Sequence, residues 1–360
     1  MMIREFEHGG NIYEPAPDGE AWLDFSANIN PLGLPSSVRN VLAREWGQVI
    51  HYPDPQGREL KTAIGTFYQV PTGNVILGNG AAELLYLFFH ALRPRTVLLP
   101  VPSFNEYERA ALAGNAGVKY FFMTATTAFD LDVLRLLSAM EGADCLVLGN
   151  PNNPTGNLLD REKVETIVAH AAKKNMTVIV DESFLDFRKD RESYTAFPLI
   201  RQYDNLFIIQ SLTKFYALPG LRLGFGIGNQ TLLSLLEKHK DVWNVNILAQ
   251  KAGAAALADS GYQSLSRSFV ESAGDHFVSL LQKIPHLHIY PRTVNFLFLA
   301  WMTDAINAEM LSLHMKKNHI LIRDCSNYPA LDSTFFRIAV RKKEENIRLF
   351  ENLKDYINSF

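Results

Sequence analysis

Short runs of branched and aromatic residues alternate with longer stretches of helical period through the first two-thirds of the chain. No other feature limits the fold as tightly. Strand-like runs fall at 75–77, 96–99, 145–148, 177–180, 206–209 and 223–225. Between them 81–92 and 105–113 pattern as helices, and in 160–175 Val164, Ile167, Val168 and Ala171 recur at helical spacing. Strands apolar on both sides need helices on both faces, which predicts an α/β fold with a mostly parallel sheet. In such a sheet ligands collect at the carboxyl ends of the strands.

The last third has another texture. Residues 243 to about 283 are helix-permissive, and strand-like segments then return at 286–290, 295–301, 320–323 and 335–340, with helical stretches at 304–317 and 343–357. This predicts an N-terminal arm over 1–33, a large domain over 34–245 and a smaller α+β domain over 246–360. No repeat or flexible linker separates them.

Charge and cysteine content narrow the function. Lys and Arg number 35 against 38 Asp and Glu, a net charge of −3 that argues against a nucleic-acid surface. Cys145 and Cys325 are too few for a disulfide framework or a cysteine-built zinc site, and no metal centre is expected. The N-terminus carries acids and no apolar core of a signal, and no apolar run approaches a membrane span. The expectation is a cytoplasmic protein with no membrane partner.

Polar clusters follow successive strands: Asn150-Pro151-Asn152-Asn153-Pro154-Thr155-Gly156, then Asp181-Glu182-Ser183-Phe184, then Ser211-Leu212-Thr213-Lys214, with Arg222 eight residues beyond the lysine. Singly these are weak, since prolines make turns, a strand-terminal Asp often caps a helix, and a lone Lys is usually solvated. Their order and spacing together are hard to dismiss.

On these segments the chain resembles the fold-type I pyridoxal-phosphate (PLP) enzymes of the aminotransferase superfamily, essentially end to end. Within that superfamily it is most similar to the threonine-phosphate decarboxylases of cobalamin synthesis, which themselves resemble histidinol-phosphate aminotransferases. The narrower likeness rests on His8-Gly9-Gly10-Asn11, the stretch Asp24 to Gly33, the stretch Ser211 to Arg222, and Ile322-Arg323-Asp324-Cys325-Ser326-Asn327-Tyr328-Pro329.

The resemblance implies a role for each residue. Lys214 would supply the amine that condenses with the cofactor aldehyde. Asp181 would hold the pyridine nitrogen protonated, because a nearby anion favours the cation. Asn153 would donate to the ring oxygen and Phe104 would stack on the ring. Gly80, Ala81 and Ala82, at a helix start, would present backbone N–H groups to the phosphate, joined by Ser211, Thr213 and Arg222. Arg323 would hold a substrate phosphate and Arg337 a substrate anion, a task that suits a planar guanidinium. His8, Asn28, Tyr52 and Asn153 would complete the substrate set, with Tyr52 reaching across a homodimer interface. Phe184 stands where many aminotransferases have Tyr. The implied reaction is decarboxylation of a small phosphorylated amino acid, L-threonine O-3-phosphate. The alternative is transamination of histidinol phosphate or a related amino acid. Perpendicular alignment of one Cα bond to the ring decides between them, so the substrate anchors choose the reaction.

Overall fold

The computed structural model describes residues 8–16, 19–303 and 305–358. The first seven residues of the expected arm, and position 304 at the start of the expected 304–317 helix, lie outside them.

After a short β1 (Leu23–Asp24), seven strands build the main sheet: β2 (Val75–Gly78), β3 (Thr96–Val101), β4 (Gly117–Phe122), β5 (Cys145–Gly149), β6 (Thr177–Asp181), β7 (Leu206–Ser211) and β8 (Gly224–Ile227). Their order is β2-β8-β7-β6-β5-β3-β4, and only β8 runs against its neighbours. Side chains alternate between the two faces along each strand. Leu146, Leu148, Val178, Val180 and Ile208 therefore join one core, while Cys145, Val147, Ile179, Phe207 and Ile209 join another. Helices cover both. Val164, Ile167, Val168 and Ala171 of Arg161–Ala172 fill the first core, and Leu84, Leu85, Phe88 and Phe89 of Ala81–Leu92 fill the second. The sheet is mostly parallel and flanked by helices, as the alternation predicts.

The second sheet is antiparallel. It comprises β9 (Leu287–Ile289), β10 (Phe296–Trp301), β12 (Arg323–Asp324) and β13 (Phe335–Ala339), in the order β12-β13-β10-β9, while the intervening β11 (Ile320–Leu321) pairs in parallel with β1. The expected strand at 320–323 is thus two strands, because the chain changes partner at Ile322. Residues Leu297, Leu299, Trp301, Phe336 and Ile338 face a third core with the helices Ser260–Leu281, Ala308–Lys317 and Lys343–Ile357. Phe296, Phe298 and Phe335 face the opposite way and join the core of the main sheet. By the same alternation Arg337, between Phe336 and Ile338, points out of the third core toward that junction. Among the described residues no helix is long and apolar enough to cross a membrane.

Candidate active site

Asp181 closes β6, and its carboxylate has two donors within the chain: Ser183 N at 2.9 Å to Oδ1 and the Tyr107 hydroxyl at 2.8 Å to Oδ2. Glu182 is next in the chain but belongs elsewhere, since its oxygens accept from Thr195 Oγ1 at 2.7 Å and Ala196 N at 2.6 Å. Burial pushes its pKa up to about 8.

Lys214 lies in a single helical turn directly after β7. Its Nζ is 3.0 Å from Thr213 Oγ1 and 3.5 Å from Ser211 Oγ, and those two hydroxyls are 2.7 Å apart. Burial brings the Lys214 pKa down to about 8; the Asp181 charge opposes this, and the Arg222 and Arg337 charges add to it. About a tenth of the amine is then free at pH 7, far more than for an ordinary lysine.

Gly80 precedes the helix Ala81–Leu92, which begins with no side-chain cap, so its first N–H groups point outward unclaimed by a capping side chain. Gly80 has φ 85°, and a Cβ there would lie 2.4 Å from Arg222 Nη2. Only glycine lets the guanidinium come so close to the helix start. Gly224 clears the other side, where a Cβ would lie 2.5 Å from Ala81 N. Unclaimed N–H groups beside a guanidinium at a helix start are chemically suited to an oxyanion such as a phosphate.

Arg337 and Arg323 are paired residues of the antiparallel β12/β13 ladder, and both are buried. Arg337 donates to Asn153 Oδ1 and, at 2.6 Å, to the Ser26 carbonyl, while its Nε has no partner among the described residues. Burial lowers its pKa, and Arg323 acts in the same direction. Arg323 donates to the Asp324 carbonyl and to Asn327 Oδ1 at 2.8 Å, and lies 5.1 Å from the Tyr328 ring centroid. Asn28 is buried; its carbonyl accepts from Asn295 Nδ2 at 3.0 Å and its Oδ1 has no partner among the described residues.

Phe104 is half-buried, with its ring edge-on to Tyr107 at 5.6 Å and tilted against His8 at 5.6 Å. His8 Nε2 lies 2.7 Å from Glu106 Oε1. Phe184 is buried edge-on to Phe296 at 5.2 Å, and Arg337 lies 5.6 Å over that same Phe296 ring. Tyr52 stands apart: it is 75% exposed and stacks on Trp243 at 4.3 Å.

Contacts thus link the predicted residues in four groups: Lys214 with Ser211 and Thr213, Gly80 with Arg222, Asn153 with Arg337, and His8 with Phe104. Three participants had no signal in the sequence. Tyr107 and Glu106 sit inside a helical pattern, and their partners are 74 and 98 residues away. Ser26 acts through its backbone carbonyl, which no residue type advertises.

A carboxylate, a low-pKa lysine and a phosphate cradle at the carboxyl end of a parallel sheet define the class: an enzyme built around an aldehyde cofactor that carries phosphate and a basic ring nitrogen. The family model for aminotransferase class I and II matches residues 20–353. A protein of Caldanaerobacter subterraneus subsp. tengcongensis provisionally named threonine-phosphate decarboxylase is 38% identical, across 98% of this chain and 94% of its own. The threonine-phosphate decarboxylase of Salmonella typhimurium is 34% identical, across 99% and 98%. The solved histidinol-phosphate aminotransferase of Clostridium acetobutylicum superposes with a TM-score of 0.88 at 31% identity, covering 93% of this chain and 99% of that one. The chain belongs to the aminotransferase class I and II family, and its cofactor is pyridoxal 5′-phosphate. The cradle at Gly80, the amine and the carboxylate fit that group.

Proposed function

We propose that this chain decarboxylates L-threonine O-3-phosphate to (R)-1-amino-2-propanol O-2-phosphate, a step of adenosylcobalamin synthesis. The observation that carries the reading is the Arg323–Arg337 pair. Like charges directly across a strand pair repel, and burial raises the cost. Two guanidiniums kept in that arrangement suit a substrate with two anionic groups, and phosphothreonine has a carboxylate and a phosphate. The two threonine-phosphate decarboxylases among the relatives support the same choice.

The bound cofactor withdraws electrons from whichever Cα bond stands perpendicular to its ring. The chain's own residues set that alignment. Lys214 would hold the cofactor, and its amine would carry the proton that Cα takes up when carbon dioxide leaves. Asp181, steadied by Tyr107 and Ser183, holds the ring nitrogen charged. Asn153, fixed by Arg337, donates to the ring oxygen through its amide nitrogen, since its Oδ1 is occupied. Ser211, Thr213, Arg222 and the backbone at Gly80, Ala81 and Ala82 hold the cofactor phosphate, and Phe104 covers the ring. Arg323 takes the substrate phosphate and Arg337 its second anion, with Asn28 and His8 beside them. A second copy of the chain covers the exposed surface at Trp46, Ile50, Tyr52 and Trp243, and Tyr52 reaches the partner's site.

Transamination of histidinol phosphate is the competing reading, favoured by the fold match with the clostridial enzyme. Phe184 weighs against it, because it brings an apolar ring packed on Phe296 to the position where many aminotransferases have a hydroxyl. Incubating the PLP-loaded protein with O-phospho-L-threonine decides between them. The expected products are carbon dioxide and the phosphorylated amino alcohol, detected by mass spectrometry. Accumulation of the aminated cofactor without carbon dioxide would overturn the reading.

A further inference from the structure

The described N-terminal strap, residues 8–10, meets a carboxylate to which the proposed reaction gives no task. Residues 8–10 lie against Ser26. Gly10 N donates to Ser26 Oγ at 2.8 Å, and a Cβ on Gly9 would lie 2.2 Å from the Ser26 carbonyl oxygen, so glycine is required there. The same carbonyl accepts from Arg337 at 2.6 Å, so one backbone group joins the strap to a substrate arginine. One residue before Gly9, His8 leans on Phe104 and meets Glu106 Oε1 at 2.7 Å. The strap therefore crosses from the Arg337 side of the site to the Phe104 side and is pinned at both ends.

Glu106 is buried, and it accepts from the Tyr86 hydroxyl at 3.0 Å and from Arg109 Nη1 at 3.2 Å as well as from His8. Burial alone would raise its pKa, but the hydrogen bonds from His8, Tyr86 and Arg109 hold it below the ordinary carboxylate value. With Nε2 committed to Glu106, Nδ1 is the ring nitrogen left for another partner.

We infer that Glu106 is a positioning residue. It fixes His8 over Phe104, with Nε2 held by the protein and Nδ1 offered to the phosphate group of the substrate. This rests on the proposed function above, and it adds a determinant of phosphate selectivity outside the two arginines.

The test uses the PLP-loaded enzyme and two variants, E106Q and H8A. Glu106→Gln keeps an oxygen acceptor for the strap and removes the charge, so the strap can stay docked while Nε2 is held less firmly. The expected result is a KM for O-phospho-L-threonine raised about tenfold, with a smaller change in kcat. The inhibition constant of inorganic phosphate should rise by a similar factor. The double variant should be no worse than H8A alone, because both changes remove one interaction. Equal phosphate affinity in wild type and E106Q would overturn the inference, as would effects of the two changes that multiply. Failure of the wild type to consume O-phospho-L-threonine would instead sink the proposed reaction, and the inorganic phosphate measurement would still decide the task of Glu106.

Discussion

The Tyr107 hydroxyl lies 2.8 Å from Asp181 Oδ2, joining the first turn of a helix to the end of a strand 74 residues away. Burial and the Asp181 charge raise the Tyr107 pKa well above its ordinary value, so the hydroxyl keeps its proton and donates. Removing a donor from a buried carboxylate costs about 1–3 kcal/mol. Tyr107→Phe should therefore lower the Tm of the cofactor-free protein by a few degrees. PLP should narrow the gap, because its ring nitrogen gives Asp181 a charged partner. Differential scanning calorimetry with and without PLP checks both points, and an unchanged Tm in the apoprotein would refute the first.

Much of this arrangement was legible in the sequence, for physical reasons. Strands such as 145–148 and 177–180 are buried on both faces, so their composition is apolar throughout and stands out without an alignment. The edge strand β4 was not legible. Only Phe121 is fully buried, while Gly117, Lys119 and Phe122 are exposed, so no continuous apolar run marks it. The two-residue β1 is shorter than any periodicity. At the site, Lys214 and Asp181 are visible because their chemistry needs their side chains at strand ends. The register that sets Arg323 opposite Arg337 depends on a turn between two strands, and nothing local encodes it.

Lys214 makes the apoprotein sensitive to pH in a definite direction. Its pKa is about 8 in the folded chain against 10.5 for a free lysine. Between those values the unfolded state holds the extra proton, so this group adds stability as pH rises from about 8 to 10.5 and adds none below 8. The rate at which apoprotein captures PLP follows the free amine. It should climb about tenfold per pH unit below 8 and level off above. Stopped-flow absorbance measures it, and a flat profile between pH 6.5 and 9 would contradict the assignment.

Ile50 and Tyr52 are 81% and 75% exposed, and Trp46 beside them is 66% exposed. Apolar exposure clustered this way marks an interaction surface. If a second copy covers this surface as proposed, light scattering should give about 81 kDa, twice the 40.5 kDa chain, and Ile50→Asp should give monomers. Burying the new charge without a partner would cost several kcal/mol. Activity should fall with the dimer, since Tyr52 would no longer reach a second site. An Ile50→Asp protein that stays dimeric and active would place the interface elsewhere.

The two arginines should separate binding from stability. Arg323 faces a like charge across the ladder, and Asn327, one of its acceptors, is only half-buried. Arg323→Met relieves the repulsion while removing the donor to Asn327 and to the Asp324 carbonyl, so the Tm of the apoprotein should fall less than in Arg337→Met. The same change removes one buried cation from the substrate pair, which costs about 2–5 kcal/mol of phosphate-ester binding, at least about thirtyfold in KM. Arg337→Met should behave otherwise. Asn153 Oδ1 and the Ser26 carbonyl would lose their donor, both in buried surroundings, so stability and substrate binding should fall together. Tm and KM measured on the two variants give the comparison. If Arg323→Met destabilised the chain as much as Arg337→Met, the pair would be a structural element of the small sheet rather than a site maintained, at a cost in stability, for an anionic ligand.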